Sequence, residues 1–243
     1  GPPQDPSTAS LIEVFDVVAD ARGIAALPDG RLAITRWRSP DDHGELALLD
    51  PATGDVELRT LAFMDTLSSD TGSGGVPSYL DQILVAPDGR QLALPSTQAN
   101  WAEGAWRTGI ALTHETTVRA ALSRWDLTKD AEKQRVTFDN RGLASAGAFT
   151  SGSQWLFVAM RGTRAVVRLD AASGEESGSL LDVGLAPSGL ALSADDRWLF
   201  VDVALAREIA IYDVSSFSPP PTTAHQRLAR PGPLPYGEEI LLG

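Results

Sequence analysis

The run from residue 36 to residue 43 carries the densest charged cluster in this sequence. Arg36, Arg38, Asp41 and His43 lie within it. Guanidinium groups bind carboxylates and phosphates through charge-assisted hydrogen bonds, so this cluster could hold an anion or dock a partner protein. The same residues could equally form a solvated loop with internal ion pairs, which contribute little to stability. The sequence leaves both interpretations open.

A second candidate group consists of Arg119, Asn140 and Arg141, which adjoin short polar runs. A buried arginine must be paired. A ligand carboxylate could be the partner here, but Asp139 or Glu115 would serve as well. We therefore treat the group as a candidate binding site with an equally simple structural explanation.

Two tryptophans, Trp101 and Trp106, lie in a polar segment between residues 96 and 117. Tryptophan is enriched at interaction hot spots, so the pair could form an aromatic binding patch. It could also fix a long loop onto the body of the protein. Long loops in compact folds are usually functional or disordered, and aromatic residues make disorder less common.

No constellation of catalytic or metal-binding residues is found. The chain has no cysteine, which excludes a thiolate metal site, a cysteine nucleophile and a covalently bound c-type haem within it. Its three histidines, His43, His114 and His225, are far apart and lack the spacing of metal ligands. No nucleophile elbow and no phosphate-binding loop occurs. We therefore predict no catalytic residue, no metal and no cofactor in this chain.

Composition narrows the possible partners. The 243 residues include 20 basic and 32 acidic side chains, a formal net charge of −12. Nucleic acid is excluded as a partner, since its phosphates require a basic surface. No apolar run approaches the length of a membrane span.

The elements that position the candidates are indicated by an internal repeat. Residues 143–180 read LASAGAFTSGSQWLFVAMRGTRAVVRLDAASGEESGSL, and residues 185–217 read LAPSGLALSADDRWLFVDVALAREIAIYDVSSF. The WLFV segments recur at an interval of 43 residues. Short apolar runs with turn residues, repeated every 40 to 50 residues, are typical of β-propeller blades.

Two earlier blades follow the same pattern. The turn Pro28-Asp29-Gly30-Arg31 recurs as Pro87-Asp88-Gly89-Arg90. In the second of these blades the third strand is predicted only at residues 118–126. About 20 residues, Ser96 to Thr117, are therefore inserted between its second and third strands. The fold predicted is all-β, a propeller with about four visible four-stranded blades, part of a larger propeller.

Residues 11–18 are rich in β-forming residues and are predicted to be the outer strand of a blade whose other strands lie elsewhere. The domain prediction is a flexible segment at residues 1–10, a propeller at 11–230 and a linker into a missing C-terminal domain at 231–243. Blades at the two ends would expose apolar edges, which favour self-association or completion by further blades.

The sequence resembles the YVTN-type β-propellers of bacteria, and in particular those fused to a di-haem cytochrome c peroxidase-like domain. The Pro-Asp-Gly-Arg turns and the WLFV strands carry the general resemblance. The narrower one rests on residues 36–45, 75–80, 116–120, 139–141 and 184–190 in that order, and on the tail 239–243, which is similar to the start of the cytochrome domain.

This resemblance implies a periplasmic or extracellular protein, whose full gene begins with a signal peptide. It also implies c-type haem in a missing C-terminal domain, and that domain or another protein as partner. The function predicted is a non-catalytic binding or scaffold module of a redox-associated protein, with a small-molecule ligand also possible. The alternative is a propeller hydrolase or lactonase with a metal in its central channel.

Overall fold

In a computed structural model of the chain, residues 13–66, 73–109, 111 and 118–229 are described. They form four antiparallel sheets, each with a main path of four strands that follow one another along the chain. Apart from one turn of 3-10 helix at Ala204–Ala206, the regular elements of these residues are all strands. The sheets are the four predicted blades, so the all-β propeller prediction is confirmed.

We number the blades in chain order. The first contains β1 (Ala21–Ala26), β2 (Leu32–Arg36), β3 (His43–Leu49) and β4 (Val56–Ala62). The second contains β5 (Val76–Ser78), β6 (Leu84–Val85), β7 (Gln91–Ala99), β8 (Val118–Asp126), β9 (Ala131–Glu132) and β10 (Val136–Thr137). The third contains β11 (Ala144–Phe149), β12 (Trp155–Met160), β13 (Ala165–Asp170) and β14 (Glu176–Leu180). The fourth contains β15 (Pro187–Leu192), β16 (Trp198–Val203), β17 (Glu208–Asp213) and β18 (Gln226–Ala229).

Aspartates close the tight turns that join these strands. Asp29 and Asp88 each accept a hydrogen bond from the backbone N–H two residues ahead, at 3.1 and 3.0 Å. Asp170 and Asp213 repeat the contact after the third strands of the last two blades. A side-chain acceptor at this spacing stabilises a turn by purely local means, which explains why the turns could be predicted from sequence.

Alternating side chains of the sheets pack between each blade and the next one along the chain. Leu46 and Leu48 of the first blade pack with Leu92 and Trp125 of the second. A second cluster joins the second and third blades, and a third joins the third and fourth. Among the described residues, no hydrophobic cluster joins the fourth blade to the first. The blades therefore form an arc.

The prediction of a strand at residues 11–18 is wrong for the part that the structure describes. Residues 13–18 form no strand and pair with no sheet. Instead Phe15, Val17 and Val18 lie across the outward face of the first blade, against Ile34 and Leu49. The apolar side chains that led to the strand prediction instead cover this face of the first blade.

The inserted segment of the second blade lengthens a hairpin. β7 and β8 have nine residues each and stay paired from Gln91 with Asp126 to Ala99 with Val118. Residues 96–99 of the insertion are therefore strand. The third strand predicted at 118–126 is confirmed at both ends.

Candidate functional site

All eight candidate residues lie at one end of the arc. In each blade the second strand ends, the third begins and the connection from the preceding blade enters at the same end. We call this end the connection face and the opposite one the turn face. The candidates occupy those three kinds of position; they are Arg36, Arg38, His43, Trp101, Trp106, Arg119, Asn140 and Arg141.

The first charged cluster is satisfied mainly within its own blade. Arg36 donates to Glu45 at 3.1 Å, and His43 contacts Glu45 through Nε2 at 3.2 Å. Arg38 lies 3.3 Å from Asp20. His43 Nδ1 also lies 2.7 Å from Asp42. Local ion pairs therefore account for Arg36, Arg38 and His43, and a binding role for the cluster stays a prediction.

The second group is divided between two places. Arg119 is buried, and its guanidinium lies 3.6 Å from Asp139, one of the two carboxylates expected from sequence. The other, Glu115, lies outside the described residues. Asn140 donates to Asp139 at 3.0 Å, whereas Arg141 reaches the third blade and donates to Ser179 at 3.2 Å.

Trp101 and Trp106 follow β7 at the tip of the long hairpin. Trp101 is exposed over 44% of its surface and Trp106 is completely exposed. A fully exposed indole does not fix a loop onto the body of the protein. A binding role for Trp101 and Trp106 stays a prediction.

A cavity on the connection face was missed from sequence. Trp37 and Tyr79 form one wall, with ring centroids 5.5 Å apart in an edge-to-face arrangement. Arg22 lies 5.5 Å from the Trp37 ring and donates to Asp81 at 2.6 Å. Arg161 lies on the opposite side, in the third blade. Tyr79 has a φ of 57°, and Asp20 and Leu143, at other blade connections, share this left-handed conformation.

An alignment of the blades would have predicted part of this cavity from the sequence. The N–H of Trp37 donates to Asp20, which directly precedes β1. The N–H of Arg161 donates in the same way to Leu143, which directly precedes β11. Trp37 and Arg161 therefore hold equivalent positions in two blades. Aligning the first blade with the third would have placed both on the connection face.

The two ends of the arc differ in surface chemistry. Eight of the twelve exposed large apolar side chains among the described residues lie on the connection face. These are Tyr79, Trp101, Trp106, Val118, Leu143, Leu181, Leu185 and Leu205. The turn face carries the turn aspartates instead. Hydrogen bonds from Thr128 and Ser215 lower the pKa of Asp126 and Asp213.

Two further negative findings concern the part of the chain that the structure describes. No group of three or more histidine, aspartate or glutamate side chains is placed to hold a metal ion. No helix there has the length and hydropathy required to cross a membrane.

No protein-family model matches the sequence, and no curated protein matches it. The fold does match solved structures. Hydrazine synthase of Kuenenia stuttgartiensis has a TM-score of 0.60 and 15% identity over 79% of this chain. The propeller of Dos1 and a proposed 6-phosphogluconolactonase from Bacteroides uniformis each have a TM-score of 0.57 and 12% identity over 86% of this chain.

These similarities establish the propeller fold. The matched regions cover 58%, 48% and 55% of the hydrazine synthase, Dos1 and lactonase chains, so this chain spans about half the length of the structures it resembles.

Proposed function

We propose that this chain is a non-catalytic binding module that docks a protein partner on its connection face. The observation that carries the proposal is the concentration of exposed apolar side chains at that end. Exposed apolar patches on soluble proteins mark interaction surfaces, and tryptophan contributes disproportionately to binding energy. The long hairpin presents Trp106 beyond the body of the blade, where a partner can reach it.

The partner proposed is a di-haem cytochrome domain, in an exported protein of the periplasm or the extracellular space. This part of the proposal rests on the sequence resemblance to propellers of the YVTN type that are fused to cytochrome c peroxidase-like domains. The absence of cysteine suits an oxidising compartment. Haem would belong to the partner domain, and this chain would supply a docking surface.

The proposal is tested by titrating the chain with a purified di-haem cytochrome c peroxidase-like domain in a calorimeter. Trp106→Ala and Leu205→Asp should each weaken binding at least about tenfold, because hot-spot side chains contribute about 2 kcal/mol or more. Ala52→Asp, an exposed substitution on the turn face, is the matched control and should bind like the wild type. Wild-type affinity in both connection-face variants would overturn the docking face. No binding by the wild type would overturn the cytochrome as partner.

The alternative, a hydrolase or lactonase with a metal in the central channel, predicts a different result. A metal that binds the native state raises the melting temperature by mass action, with about 2.7 kcal/mol of stabilisation at a hundredfold excess over the dissociation constant. We expect calcium to leave the melting temperature of this chain unchanged. A large rise would replace the scaffold proposal with the enzymatic one.

A further inference from the structure

The cavity on the connection face has the size and composition of a small-molecule site. It has a volume of about 310 Å³, within the range of about 300 to 1,000 Å³ that ligand sites occupy. Elements of the first three blades line it, which places it where the inner strands converge. This volume belongs to the chain alone, so the inference does not rest on the proposed docking of a protein partner.

Arg161 supplies a positive charge that the described part of the protein does not neutralise. Arg22, on the other side of the cavity, is paired with Asp81 at 2.6 Å. In the described structure, the guanidinium of Arg161 makes no hydrogen bond and no ion pair. The two arginines and the single aspartate give the cavity a net positive charge in a protein of charge −12. An anion is therefore the complementary ligand.

Thr97 adds a hydroxyl to the lining of the cavity, where the residue is 1% exposed. Other buried hydroxyls near it are satisfied. Thr35 donates to Leu80 at 2.7 Å, and Ser96 donates to Ala121 at 3.3 Å. The Thr97 hydroxyl is not one of the buried polar atoms without a partner; as part of the cavity lining it can donate to a bound oxygen or accept from a bound N–H group.

Trp37 and Tyr79 define the rest of the ligand. The two side chains form an apolar wall in a cavity whose other lining residues give it a net positive charge. Aromatic rings pack edge-to-face or offset with other rings, so this wall suits an aromatic ligand. We propose that the cavity binds a small aromatic carboxylate. The ring lies against Trp37 and Tyr79, the carboxylate pairs with Arg161, and the Thr97 hydroxyl donates to an oxygen of the ligand.

Calorimetric titration with benzoate and with benzamide tests the proposal, since the two probes share a ring and differ in charge. Benzoate should bind, and benzamide should bind at least about tenfold more weakly, because a hydrogen bond to a charged group contributes about 1.5 to 3 kcal/mol. Arg161→Gln should weaken benzoate about tenfold or more and leave benzamide unchanged. Thr97→Val, which removes the hydroxyl at constant volume, should weaken benzoate severalfold.

Arg164→Gln is the matched control. Arg164 is an exposed arginine in the same connection, but it pairs with Asp182 and lies outside the cavity lining. This variant should bind benzoate like the wild type, and its melting temperature should match that of Arg161→Gln. Equal affinity for benzoate and benzamide, or unchanged benzoate affinity in Arg161→Gln, would overturn the proposal. The absence of saturable benzoate binding up to about 10 mM would also overturn the proposal, because a binding free energy of about −4 kcal/mol gives saturation in that range.

Discussion

Arg124 shows how a single side chain joins two blades. It is 3% exposed in β8 of the second blade, and its guanidinium donates to the carbonyls of Ala171, Ala172 and Ser173 in a turn of the third blade. Burial lowers the pKa of Arg124 from its ordinary value. Backbone carbonyl groups therefore stabilise the buried guanidinium, and no carboxylate lies at hydrogen-bonding distance among the described residues.

Replacing Arg124 with methionine should lower the free energy of unfolding by about 2 to 4 kcal/mol. The substitution keeps most of the side-chain volume but removes the donor to the buried carbonyl of Ala171 and to the partly buried carbonyls of Ala172 and Ser173, and an unsatisfied buried group costs about 1 to 3 kcal/mol. Urea denaturation measures the change. Arg164→Gln, at an exposed ion pair, should shift stability by less than about 0.5 kcal/mol. A change of similar size in both variants would contradict the interpretation.

Asp170 gives the protein a defined response to acid. Hydrogen bonds from the backbone and hydroxyl of Ser173 and from the N–H of Ala172 lower its pKa below the ordinary value of 3.8. Because the folded pKa is the lower one, the stabilisation is complete above the unfolded pKa. It is lost as the pH falls through the folded pKa.

Asp170→Asn should therefore destabilise the protein at about pH 7, and its difference from the wild type should shrink as the pH falls below about 4. Urea midpoints of both proteins, measured across that range, show the effect. A difference that stays constant with pH would mean that the carboxylate charge does not stabilise this turn.

At the level of elements, residues 13–18 act as a cover for the first blade. Phe15 packs against a buried cluster that contains Ile34, Ala47 and Leu49. Phe15→Ala should cost about 1 to 2 kcal/mol of stability, since burying a phenylalanine fully contributes about 1.5 to 3 kcal/mol and this one is half-buried. The neighbouring Val14 is exposed, so Val14→Ala is the control and should be nearly neutral. Equal effects would show that the segment does not pack on the blade in solution.

At the level of the whole molecule, the arc has an open face at each end. Phe157 in β12 is 2% exposed because the fourth blade covers it. Its repeat equivalent in β16, Phe200, is only half-buried. On the outward face of the first blade, Ile24 and Leu58 are exposed despite the cover by residues 13–18. The larger propeller predicted from sequence would bury both faces under further blades.

We expect the isolated chain to associate through these faces. Light scattering should show a molar mass that rises with concentration, because exposed blade faces bury apolar surface against one another. Ile24→Lys places a charge on the outward face of the first blade and should reduce the association, whereas Ala52→Lys on the turn face should not. A stable monomer at every concentration would show that the arc needs no further blades.

The sequence alone determined the blades, because their signals are local. The WLFV copies, which recur at an interval of 43 residues, predicted strands that the structure has as β12 and β16. Turn aspartates such as Asp29 bond to N–H groups two residues away. Turn formation and strand alternation both depend on near neighbours in the chain, so neither requires knowledge of the tertiary structure. The domain boundaries predicted at residues 10 and 230 lie outside the described residues and stay predictions.

The tertiary structure decided everything that depends on how blades stack. Arg22, Thr97 and Arg161 line one cavity although they are far apart in sequence, because the inner strands of three blades converge there. The guanidinium of Arg119 lies 3.6 Å from Asp139, and the connection between two blades brings these residues together across 20 positions of sequence. Residues 13–18 have the composition of a strand, yet packing on the first blade uses them as a cover. Strand register and the packing between blades determine such contacts. No short stretch of the chain determines either of them.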